Sequence, residues 1–97
     1  MKIIHDIQKL MKDLYYDKDK ERGTEKTFLR LVEEIGELSE AILLKNKEKI
    51  TEEIIDVIAW TLSIANLVGI NVNEVFFNKY TNSCPKCKNN PCSCNSI

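Results

Sequence analysis

Apolar residues recur along this chain with the 3.6-residue period of a helix, and no segment of useful length shows the period-two alternation of a strand. Ile4, Ile7, Leu10, Met11 and Leu14 share one face and predict a first helix over about residues 3–17. The charged stretch DKDKERG that follows reads as a turn ending at Gly23, with Thr24 as N-cap of a second helix. In that helix Phe28, Leu31, Val32, Ile35, Leu38 and Ile42 form a clean stripe, with Glu33, Glu37 and Glu40 opposite and Glu34 at the border. The polar link KNKEK is short enough to make the next helix an antiparallel neighbour. That third helix starts at Lys47 or Thr51 and runs to Val68, where Gly69 supplies a C-terminal stop. Beyond Asp56 it is apolar nearly all round, so more than one side has to be covered. A short fourth helix, about residues 72–80, leads into a cysteine-rich tail.

These elements define an all-α antiparallel bundle of about four helices, with residues 1–82 as the folded domain and 83–97 as the tail. At 97 residues such a chain makes only a thin core. A homodimer formed through the helices is therefore expected to cover the third helix. The charge balance, 14 basic against 15 acidic residues, lacks the basic excess of a nucleic-acid-coating protein. The longest apolar stretch, Val57 to Ala65, is broken by Thr61 and Ser63 and is too short to span a bilayer. The N-terminal residues carry charges every few positions, unlike a signal peptide, and the expected location is cytoplasmic.

The chemistry lies in two acidic clusters. Glu34 and Glu37, and Glu53 and Asp56, are each three residues apart, so each pair shares a helix face. Four carboxylates facing each other across a helix pair repel unless a cation joins them. All-oxygen donors suit Mg²⁺ or Mn²⁺, and Mg²⁺ commonly arrives with substrate phosphates. A plainer reading is open: exposed glutamates on a solvated face, and Glu52 and Glu53 as first-turn charges facing the helix dipole. Asp56, set among Ile54, Ile55, Val57 and Ile58, fits that reading poorly, because a half-buried Asp needs a partner.

The run Glu33-Glu34-Ile35-Gly36-Glu37, followed after 15 residues by Glu53-Ile54-Ile55-Asp56, resembles the EExxE…ExxD signature of the MazG-like nucleotide pyrophosphohydrolases. These belong to the all-α NTP pyrophosphatase superfamily, and the likeness spans about residues 24–80. It implies a helical dimer, or a dimer of dimers, that cleaves a nucleoside triphosphate at the α–β anhydride to monophosphate and pyrophosphate. By position, Glu34, Glu37, Glu53 and Asp56 resemble the Mg²⁺ ligands, with Glu33 or Glu40 beyond them orienting water. The likeness also places Trp60 near the nucleotide, against plain core packing, and Lys79 and Asn82 near phosphate and sugar or base, against a surface role. Arg30, Lys12 and Lys26 are further phosphate contacts by charge, although Arg30 can equally pair with Glu34 four residues on. Tyr15 and Tyr16 could stack on a base, and His5 reads as a surface or packing residue.

Cys84, Cys87, Cys92 and Cys94 place four thiols within eleven residues. Tetrahedral Zn²⁺ takes four thiolates, and the CxxC has knuckle spacing. Disulfides or redox thiols are the alternative. A zinc-knuckle adaptor that binds nucleic acid or protein is the competing function, and it leaves Asp56 unexplained. A ferritin-like di-iron site needs ExxH pairs, which this chain lacks.

Overall fold

The computed structural model describes residues 3–95. Four helices follow in order: α1 (Ile3–Arg22), α2 (Thr24–Leu43), α3 (Lys47–Val68) and α4 (Val72–Lys79). No strand occurs among the described residues, as the missing period-two pattern predicts. α3 is the central element, packing against α2 on one side and α1 on the other, while α4 folds back on α1.

The third and fourth helices begin where an asparagine can cap them. Asn46 Oδ1 accepts from the Lys49 N–H at 3.2 Å, which settles the start of α3 at Lys47. Asn71 Oδ1 accepts from the Glu74 N–H at 3.1 Å at the head of α4. Gly69 closes α3 in the left-handed conformation, φ 74°, which a side chain would strain.

The first helix departs from the sequence expectation. It continues through the charged DKDKER segment to Arg22, and only Gly23, at φ 93°, breaks it. Asp19 is buried and pairs with Arg22 at 2.7 Å, one turn along the same helix. The Arg22 guanidinium lies 5.0 Å from the centre of the Trp60 ring on α3 and also donates to Thr27 Oγ1. A segment that looks like a solvated turn is therefore a helix end anchored by tertiary contacts. Thr24 is the first residue of α2 and Gly23 its cap, with no side-chain cap bond. Thr27, fully buried, donates instead to the Gly23 carbonyl at 2.8 Å.

The interior of the single chain is largely polar. Gln8, Asp19, Thr27, Glu53 and Ser63 are buried together with Leu31, Ala41, Leu62 and Ala65. Gln8 ties three elements: its Nε2 donates to Asn66 Oδ1 and the Ile70 carbonyl, and its Oε1 accepts from the Val72 N–H. On α2, the centre of the expected stripe points outward: Phe28 (52 % exposed), Val32, Ile35 (48 %) and Ile42 remain open while Leu31 and Ala41 are buried. Ile54, Ile55 and Ile58 on α3, and Ile7, Leu10 and Leu14 on α1, are likewise exposed. No single helix among the described residues is long and apolar enough to cross a membrane.

Breaking the Asp19–Arg22 pair should destabilise the fold. Hydrogen bonds to charged groups contribute about 1.5–3 kcal/mol, so Asp19→Ala is expected to lower unfolding free energy by about 2 kcal/mol. A urea melt showing no loss would contradict the anchoring role of Arg22.

Candidate active site

α2 and α3 run antiparallel, so that Glu34 and Glu37 come alongside Glu53. One carboxylate oxygen from each of these three lies within 4.8 Å of the other two. A second set, Glu52, Glu53 and Asp56, meets the same criterion along α3. Glu53 belongs to both and is the most buried of the group, at 3 % exposure. Glu34 and Asp56 are half-buried; Glu33, Glu37 and Glu40 are exposed.

The electrostatics of the cluster call for a cation. Buried Glu34 Oε2 and Glu53 Oε2 have no hydrogen-bond partner. As carboxylates neither can donate to the other, and the buried orphaned oxygens carry a full desolvation penalty. The Glu34 carboxyl is accordingly pushed up to about 7, first by hydrogen bonding to Glu53 in its protonated form, then by burial, then by the charges of Glu37, Glu53 and Asp56. Oxygen donors and unpartnered buried lone pairs fit a hard divalent ion.

The cluster sits between two cavities. On one side Glu37, Glu40 and Glu53 line a space of about 290 Å³ with Asn46 and Lys49. On the other, Asp56 opens onto a cavity of about 430 Å³ with Trp60, Arg22, Lys18 and Tyr15. The Trp60 ring packs under Arg22 and borders the space beside Asp56.

The remaining expected residues lie elsewhere. Arg30 is exposed and approaches Glu33 at 3.5 Å, three residues along, in place of the expected Glu34 pair. It lines a separate cavity with Arg22 and Lys26. Lys79 sits 5.4 Å from the Tyr80 ring centre, and Asn82 borders a pocket with Tyr80, Asn89 and Asn90. Neither lines the two cavities beside the carboxylates. Lys12 covers the Tyr16 ring at 5.2 Å, while Tyr15 faces the Asp56 cavity. His5 is exposed. Asp19 and Arg22 also line the Trp60 cavity, and their three-residue spacing, hidden in a run of charges, is the only sequence signal for it.

In the tail the four cysteines converge, each offering a sulfur within 4.8 Å of the other three. N–H donation from Ser93 and Asn89 holds the Cys87 thiol down to about 6, whereas Cys94, beside Cys92, Cys87 and Cys84, is pushed up to about 11. Crowding of this kind is relieved by a metal ion.

Among the described residues the fold is helical, and its second and third helices bring the carboxylates together. The family model of the MazG nucleotide pyrophosphohydrolase domain matches residues 22–88, and the chain belongs to that family. No curated protein matches it.

Proposed function

We propose that this chain is a Mg²⁺-dependent (or Mn²⁺-dependent) nucleoside triphosphate pyrophosphohydrolase. It cleaves the α–β anhydride, yielding nucleoside monophosphate and pyrophosphate, and serves to clear non-standard or surplus nucleotides in the cytoplasm. The observation that carries this reading is the juxtaposition of Glu53 and Glu34, each with a buried carboxylate oxygen lacking a partner, beside Glu37. Residues 1–82 form the catalytic domain and 83–97 an appended tail.

Glu34, Glu37, Glu53 and Asp56 would hold the cation. When bound, it neutralises charge developing on the phosphate oxygens and lowers the pKa of coordinated water. Glu40, which shares a cavity with Glu37 and Glu53, would orient the attacking water; Glu33 stands further off beside Arg30. Water oxygen bonds to phosphorus, the bridging oxygen leaves with the other phosphoryl group, and a carboxylate takes the released proton. Trp60 and Tyr15 line the cavity beside Asp56 and offer aromatic faces to a base, with Lys18 and Arg22 offering cations to phosphate. Lys79, Asn82 and Arg30 would reach substrate from more distant surfaces.

The catalytic form is a homodimer or a dimer of dimers. The exposed stripe Phe28–Val32–Ile35–Ile42 and the exposed Ile54, Ile55 and Ile58 support it, because so many large apolar side chains left in water favour burial against a partner.

The test is incubation with a panel of canonical and modified nucleoside triphosphates, with Mg²⁺ and with chelator. Monophosphate plus pyrophosphate, lost on chelation, is the expected result. Diphosphate plus phosphate would mean a different phosphohydrolase. No turnover across a broad panel, together with a salt-sensitive shift of RNA or DNA, would favour a nucleic-acid adaptor.

A pH dependence follows from Glu34. Its carboxyl titrates at about 7 in the folded metal-free chain, above the ordinary 4.5. The folded state therefore keeps a proton that the unfolded chain has released. The stability associated with that proton is full below the ordinary carboxylate range and is lost as pH rises through about 7. With chelator present, urea midpoints should fall between about pH 5 and about pH 8, and Mg²⁺ affinity should rise over the same interval with proton release. Mg²⁺ affinity flat across that range would remove Glu34 from the ligand set.

A further inference from the structure

The tail lies outside the carboxylate cluster, and its polar groups bond among themselves. Cys84 Sγ and Cys94 Sγ lie 3.8 Å apart, and Cys87 Sγ and Cys92 Sγ 4.0 Å apart. A tetrahedron with Zn–S bonds of about 2.3 Å has edges of about 3.8 Å, whereas a disulfide brings its sulfurs to about 2.05 Å. All four sulfurs being within 4.8 Å of one another describes a tetrahedron rather than two separate pairs.

The backbone is shaped around these sulfurs. The Lys88 N–H donates to the Cys84 carbonyl at 2.8 Å, the Cys84 N–H to the Asn89 carbonyl at 2.9 Å, and Lys88 takes the left-handed conformation, φ 66°. This folds the first CxxC into a tight knuckle. From the second arm, the Ser93 N–H donates to Cys87 Sγ and the Cys94 N–H to Cys92 Sγ, both at 3.3 Å. N–H donors aimed at sulfur stabilise thiolate, the form that binds metal. A tetrathiolate centre with Zn²⁺ carries a charge of −2, and Lys86 and Lys88 in the knuckle supply two positive charges.

We propose that Cys84, Cys87, Cys92 and Cys94 form a closed tetrahedral site for one Zn²⁺ per chain, which holds the tail in its fold. Soft thiolates select zinc over the hard cation of the carboxylate site. With all four positions taken by protein, the ion has no open position for catalysis. Its role is to supply the cohesion that the tail otherwise lacks: among the described residues, the side-chain hydrogen bonds of 82–94 run only within that segment. The inference is independent of the nucleotide reading.

The test is elemental analysis of the full chain, purified without chelator from zinc-supplemented growth. One zinc per chain is expected, with four thiols titrating only after the metal is released. Cobalt exchanged into the site should give thiolate-to-cobalt charge transfer and the intense visible bands of a tetrahedral centre. Trypsin cleavage after Lys86 or Lys88 should accelerate at least tenfold once the metal is removed, and Cys87→Ser should retain less than a tenth of the wild-type zinc through dialysis. Should that variant fail to fold, the stoichiometry and thiol count of the native chain decide the matter alone. Substoichiometric zinc after reductive reconstitution, two disulfides by mass spectrometry, or an iron-coloured protein would each overturn the assignment.

Discussion

Glu53→Gln is expected to reduce Mg²⁺-dependent turnover by ~10³-fold or more while leaving the helices folded. Metal-ion charge stabilisation amounts to several kcal/mol in the transition state, and each 1.36 kcal/mol is about tenfold in rate. Glu53 is singled out over its neighbours because it belongs to both carboxylate groups and is 3 % exposed. The amide keeps the size of the side chain but removes the charge and can donate to Glu34. The same substitution should therefore stabilise the metal-free protein slightly, and should bring the Glu34 carboxyl back down, since Glu53 is the main cause of its elevation. Loss of activity combined with a raised urea midpoint in chelator separates a ligand from a merely structural residue. Glu37→Gln and Asp56→Asn should follow the same course in activity. Turnover within tenfold of wild type in Glu53→Gln would end the assignment.

The second large effect concerns assembly. Ile35→Asp, at the middle of the exposed α2 stripe, is expected to abolish the dimer and much of the helicity with it. Fully burying a large apolar side chain contributes about 1.5–3 kcal/mol, and Phe28, Val32, Ile35 and Ile42 all remain open in the single chain. With Leu31, Ala41, Leu62 and Ala65 as the buried apolar side chains among the described residues, the isolated chain has only a thin apolar core. Light scattering should give wild-type protein at least twice the 11.2 kDa chain mass, and Ile35→Asp a smaller, poorly helical species. A wild-type monomer with full helicity would exclude the proposed interface.

Particular elements show how far the residues alone carry this reading. The stop at Gly69 and the gathering of four cysteines are local matters, and so is the Asn46 cap that decides between Lys47 and Thr51 as the start of α3. A left-handed residue, a capping side chain and a short chain segment each act over a few positions. The carboxylate pairs were legible for the same reason, since three-residue spacing on a helix places side chains on one face. The end of α1 was not legible. Asp, Lys, Glu and Arg in succession look like a turn until Arg22 finds Trp60, thirty-eight residues away in sequence.

The apolar stripe of α2 illustrates the division most clearly. Periodicity established that the helix has an apolar face and that Glu34 stands at its border. It did not establish which flank of that face meets α3. In the folded chain the buried flank carries Thr27, Leu31 and Ala41, with Glu34 half-buried and Ile35 left outside. Sequence by itself determined the number and order of the helices, the two carboxylate pairs and the thiol set, because helical spacing and short chain segments act over a few positions. Tertiary structure alone decided that Glu53 is the deepest of the carboxylates, that the Glu34 carboxyl beside it is pushed up, and that Gln8 and Asp19 are buried. Burial of a polar group depends on whether a distant partner satisfies it, and no local pattern records that partner.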